Sequence, residues 1–181
     1  MNLQNDVDEY RANDRNRLEN MRLYYAALSL EDAVEQASKG LFAHGKVDNH
    51  QYRIKKKSKI GATIEMKKRI SELKACKSFE EIFRITEDVK NSVAGLGDLW
   101  SYDTALRIGF NMGILPSQVY VQRGVIDGVK KALGGTRPIG RSVPLSLFPA
   151  PFLMLQPYEV ENFLCIWGKD KTSYMFDSNS C

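Results

Sequence analysis

The stretch NSVAGLGDLWSYDTALRIG, residues 91–109, places two glycines around one leucine: Gly95, Leu96 and Gly97. Glycine permits positive φ and close backbone approach, so such a triplet turns tightly from one helix into the next. The amides that open the second helix point outward at its positive end, where a phosphate oxygen can accept them. Gly95, Leu96 and Gly97 are therefore candidate phosphate-binding residues. Asp98 follows directly, and a carboxylate there caps the same amides and repels a phosphate. A cationic element lies upstream. From Lys46 to Lys77 there are eleven Lys and Arg against Asp48, Glu65 and Glu72, a local balance of +8 in a chain of net charge +4. Its densest part, RIKKKSK, offers Arg53, Lys55, Lys56, Lys57 and Lys59 to phosphates, with Tyr52 as a stacking neighbour. Lys67, Lys68 and Arg69 add to it only if they share a face with the earlier lysines.

An amphipathic helix, the Gly95-Leu96-Gly97 corner and a second helix with a small residue, Ser101, four after the second glycine together resemble the helix-hairpin-helix motif of DNA-repair proteins, including the base-excision glycosylase superfamily. The resemblance covers about residues 79–112, under a fifth of the chain. It implies DNA as the partner, held by backbone amides. In the glycosylases an aspartate follows the hairpin, often in a pattern like DGxVxRxL. IDGVKKAL, with Asp127, Gly128, Val129 and Leu133, imitates that pattern but lies thirty residues after Gly97. The lysine nucleophile of the bifunctional members is missing from the hairpin helix. Asp127 is the single catalytic candidate, and a surface position in the first turn of a helix is its alternative reading. The longer block GLGDLWSYDTALRIGFNMGILPSQVYVQRG, with the later EVENFLCIW, resembles uncharacterised bacterial proteins of this size, which implies a shared fold and lends no activity.

Other chemistry finds little footing. Cys76, Cys165 and Cys181 are far apart and form no CxxC, so neither zinc nor a disulfide framework is indicated, and a reduced, cytoplasmic setting follows. His44 and His50 are six apart with Asp48 between them, outside the three- or four-residue spacing of helical ligand pairs. No metal and no cofactor is expected. The polar amino terminus has no signal-peptide core. The longest apolar run, PLSLFPAPFLMLQP at 144–157, carries four prolines and is too short to span a bilayer, so no membrane role is expected. That run is instead the candidate docking surface for a protein partner or a second copy.

The elements that must position these residues read as helices. Ser29 caps a helix over 30–39 that Gly40 stops; Ile60, Ile64, Met66, Ile70 and Leu73 line one side of a helix over about 61–75; Ser78 and Glu81 form a capping box ahead of Phe79, Ile82, Phe83, Thr86, Val89 and Val93. Asp98 caps a helix over 99–112, in which Asp103 and Arg107 form an i,i+4 pair. Residues 1–20 are charged with few apolar anchors, QVYVQ at 118–122 is a connection or a helical turn, and 125–133 is helical. Trp100, Trp167, Phe148 and Phe152 read as core. The expected fold is all-α: a helical domain at 1–135 with its hairpin at 93–99, and a proline-rich extension with a short C-terminal helix at 136–181 packing on the same domain. The leading functional expectation is a non-catalytic, nucleic-acid-binding protein. A glycosylase-like enzyme using Asp127 and a protein scaffold are the alternatives.

Overall fold

A computed structural model describes residues 2–42, 45–48 and 51–168. Within them the chain is all-α, with nine α-helices and one two-stranded antiparallel ribbon. The residues group into two compact units, Asn20–Leu115 and Met1–Glu19 with Pro116–Cys181, here the hairpin unit and the terminal unit. No described helix is long and apolar enough to cross a membrane.

The helices in order are α1 (Leu3–Asn13), α2 (Arg15–Ala26), α3 (Leu30–Lys39), α4 (Lys56–Lys68), α5 (Ile70–Ala75), α6 (Phe79–Ser92), α7 (Asp98–Met112), α8 (Ile126–Ala132) and α9 (Pro157–Trp167). Their ends follow local chemistry where the capping residues are strong. Ser29 accepts the Asp32 amide and Gly40, at φ 66°, ends α3 in the left-handed region. Ser78 and Glu81 close a reciprocal capping box on α6. Gly97, and not Asp98, occupies the cap position of α7, and Asp98 is the first helical residue, an acid in the first turn.

In the terminal unit the charged N-terminal segment is a helix anchored by two fully buried residues, Val7 and Tyr10. The Tyr10 ring meets Phe163 edge-on at 5.5 Å, and its hydroxyl donates to Asn162 Oδ1 at 3.0 Å. Arg15 Nε donates to Glu159 Oε1 at 2.6 Å, while Glu159 Oε2 accepts the Gln156 amide at 2.7 Å, so one buried carboxylate both caps α9 and binds an N-terminal arginine. β1 (Val119–Tyr120) pairs with β2 (Ser142–Val143) in the register Val119 to Val143, so part of QVYVQ is a short strand. The proline-rich run folds into two 3-10 turns, Leu145–Leu147 and Ala150–Met154, each entered from a proline. Phe148, Phe152 and Leu155 point into the core they share with Val7, Val129 and Phe163.

Gly128 has a packing reason. A Cβ on it would lie 2.2 Å from the carbonyl oxygen of Leu164, so α8 approaches α9 backbone to backbone, and Gly168 closes on the same spot. Gly128→Ala should therefore destabilise the terminal unit by about 3 kcal/mol, because a backbone carbonyl cannot swing aside. Gly97→Ala, with nothing within 4 Å of the new methyl, serves as the control. Urea unfolding followed through Trp167 checks this, and equal midpoints for the two variants would contradict it.

Candidate nucleic-acid interface

The hairpin unit is built around α7, whose residues from Trp100 to Phe110 are all buried. A helix enclosed on every side must satisfy its polar groups internally. Trp100 Nε1 donates to Ser38 O at 3.1 Å on α3, and the Thr86 hydroxyl of α6 lies 2.9 Å from Ser101 O. Asn111 Nδ2 donates to Tyr25 O and Leu28 O, fastening the end of α2. Phe79 and Phe83 of α6 meet the Tyr102 ring edge-on at 6.0 and 6.3 Å.

Arg107 is the costly member of this helix, with only 2% of its surface exposed. Its Nη2 donates to Asp48 Oδ2 at 2.8 Å, an ion pair spanning 59 residues, whereas the Asp103 carboxylate accepts from Gln51 Nε2 at 2.9 Å. Asp103, four residues before Arg107, acts on it through its field, while the hydrogen-bonded ion pair is the long-range one to Asp48. Burial works against the guanidinium charge, but Asp48 and Asp103 outweigh it and hold Arg107 firmly protonated. Nε and Nη1 of Arg107 and Oε1 of Gln51 have no partner among the described residues, so the cluster is under-satisfied and serves register more than stability.

This cluster sets the path of the chain into α4. Gln51 is fully buried, its amide bonds to Asp48 O, and its carbonyl accepts from Ile54 N, which makes a tight turn. Tyr52 and Arg53 project from that turn into solvent, and α4 begins three residues after Arg53. Lys55 occupies the cap position of α4 without a side-chain cap, and no acid stands in the first turn. Cations at the positive end of a helix are unfavourable unless an anion arrives to offset them.

The glycine corner lies directly against this lysine turn. Ser58 Oγ donates to Ala94 O at 2.7 Å, a Cβ on Gly95 would fall 2.7 Å from Ser58 Oγ, and one on Gly61 would fall 3.2 Å from Val93. Gly95 stands at φ 87°, which favours glycine, whereas Gly97 is extended with open space around it. Gly95 and Gly97 are exposed and Leu96 is half-buried. Asp98 is drawn back to Lys90 of α6 at 2.6 Å, so its charge is partly matched by its own scaffold.

Arg53, Lys55, Lys56 and Lys57 are exposed, and none forms an ion pair among the described residues. Lys59 is half-buried, and burial together with Arg107 pushes its pKa down. The later cations are engaged: Lys67 with Glu35, Lys68 with Glu65 at 2.7 Å, Arg69 with Glu72 at 3.2 Å. Asp127 belongs to the terminal unit, where its side chain is 80% exposed and 3.9 Å from Lys130, in the first turn of α8. Of the run 144–157, Leu147, Leu153 and Met154 face outward. His44, His50 and Cys181 lie outside the described residues; Cys76 and Cys165 are buried free thiols.

What the sequence concealed is the Arg107 cluster, since Asp48 and Gln51 sit in a turn with no periodic signal. Comparisons of the chain with protein-family models, curated proteins and solved structures found no match.

Arg107→Met leaves Asp48 and Asp103 buried without the guanidinium and should cost about 3–5 kcal/mol at neutral pH. Urea unfolding at neutral pH measures the loss. Wild-type stability in the variant at neutral pH would contradict the assignment.

Proposed function

We propose that the hairpin unit binds nucleic acid, non-catalytically, by its phosphates, at a surface formed jointly by the first turn of α4 and the corner that leads into α7. The single observation that carries this reading is the Ser58–Ala94 hydrogen bond of 2.7 Å. It joins Lys55, Lys56 and Lys57, which form no ion pair among the described residues, to the corner of exposed Gly95 and Gly97 and half-buried Leu96, features that are separate in the sequence. Two helix starts without side-chain caps supply amide donors, and the lysines supply mobile charge. The internal pairing of Asp98 with Lys90 eases the repulsion its carboxylate would otherwise exert on a phosphate. Exposed Arg53 extends the cationic strip, and half-buried Lys59 lies at its base.

The experiment is a titration of fluorescein-labelled oligonucleotides between about 50 and 200 mM salt, followed by anisotropy. Affinity should fall log-linearly with salt. Lys55→Ala/Lys56→Ala/Lys57→Ala should weaken binding roughly tenfold or more at the low-salt end and flatten the salt slope by about 2–3. Absence of binding by the wild type at low salt, or a triple variant that binds as well as wild type, would overturn the proposal.

A further inference from the structure

Resting on that reading, we infer that the ligand is single-stranded nucleic acid, with the Tyr52 ring as a platform for an unpaired base and Ile60 and Ile64 as an apolar floor for its neighbours. Tyr52 is 79% exposed, the one aromatic side chain among the strongly exposed apolar residues of the described chain. It is not loose: Gln51, its neighbour, is fully buried and tied to Asp103, and the turn closes with the Gln51 O to Ile54 N hydrogen bond. A ring exposed on a pinned turn loses little freedom when something stacks on it. Four residues on, α4 begins, and Lys56, Ile60 and Ile64 follow one another at four-residue spacing with Lys57 beside them, so they share one face. Ile60 and Ile64 are 49% and 52% exposed on that face, while Ser58, Ala62, Thr63 and Met66 form the buried one.

The face therefore alternates cations with apolar surface. A duplex presents phosphates to such a face and keeps its base faces stacked within, leaving Tyr52, Ile60 and Ile64 wet. A single strand presents both chemistries: its phosphates meet Arg53, Lys55, Lys56 and Lys57, and its unstacked bases cover the ring and the two isoleucines. The side-chain set matches the second ligand at all seven positions, Tyr52, Ile60 and Ile64 among them, and the first only at the four cations. The pairing of Lys67 with Glu35 and of Lys68 with Glu65 ends the free cationic strip near Ile64, which limits the site to the part of α4 up to Ile64 and the turn before it.

Anisotropy titrations compare an oligothymidine of about 20 nucleotides, which has no secondary structure, with a mixed-sequence duplex of equal length. Wild type should bind the single strand roughly tenfold more tightly than the duplex. Tyr52→Ala should weaken the single strand about five- to tenfold and leave the duplex within about twofold, since one base–aromatic stack is lost. Tyr52→Phe should retain the affinity, because the ring and not the hydroxyl carries the contact. Ile60→Ser/Ile64→Ser, on exposed positions that spare the fold, should also weaken the single strand alone. If the duplex binds as tightly, or if these variants affect neither ligand while the triple lysine variant weakens both, the single-strand inference falls and phosphate binding stands; the apolar face is then left for an acidic protein segment. If neither oligonucleotide binds at low salt, both fall.

Discussion

A guanidinium buried in the middle of α7 has to find its counter-charge inside the protein, and much of the hairpin unit is arranged around that need. Asp48 supplies it from the connection between α3 and α4, at 2.8 Å. Once Asp48 is committed, Gln51 falls into the interior beside Asp103, and the turn that follows has only one way to face. Gly40 belongs to the same constraint: it sits at φ 66°, and a Cβ there would lie 2.3 Å from the Gln51 side chain. A long-range ion pair in the interior is a poor source of net stability, because desolvation offsets most of its attraction. What it provides here is a fixed conformation for an otherwise irregular segment, and with it a fixed start for α4 and a fixed position for Tyr52.

Small residues then allow neighbouring backbones to meet. Ser58 and Gly61 bring α4 onto the corner at 93–95, just as Gly128 and Gly168 bring α8 and α9 together in the terminal unit. The two hairpin glycines consequently do different work. Gly95 has a left-handed conformation and a hydroxyl against it; Gly97 has neither, and its lack of a side chain leaves the start of α7 open. Such an arrangement suits a surface that a phosphate approaches from outside, with backbone amides on one flank and lysines on the other.

The helices whose ends carry strong local chemistry were legible in the sequence: α3 runs from its serine cap to its glycine stop, and α6 starts at its capping box, though it ends at Ser92, short of Gly95. The basic helix was not. Isoleucines suggest a buried face, yet Ile60 and Ile64 point outward because the face that carries Ser58, Ala62, Thr63 and Met66 is the buried one, with Ser58 against the corner, a preference no hydrophobic pattern reports. The helix also starts earlier, at Lys56, and breaks at Arg69. The N-terminal segment looked poorly anchored because its anchors, Val7 and Tyr10, have partners such as Phe163 more than a hundred residues away. For the candidate site, the cations and the glycines were each visible. Their adjacency was not, since it depends on one hydroxyl and one carbonyl that carry no sequence signature.

Amide chemical-shift mapping during titration with oligothymidine tests most directly whether the lysine turn and the glycine corner form one surface. The account predicts that the amides of residues 55–59 and 94–99 shift together, along one saturation curve, with Tyr52 ring resonances following them, while the amides of the terminal unit stay in place. Shifts confined to only one of the two segments, or clustered in the terminal unit, would contradict it.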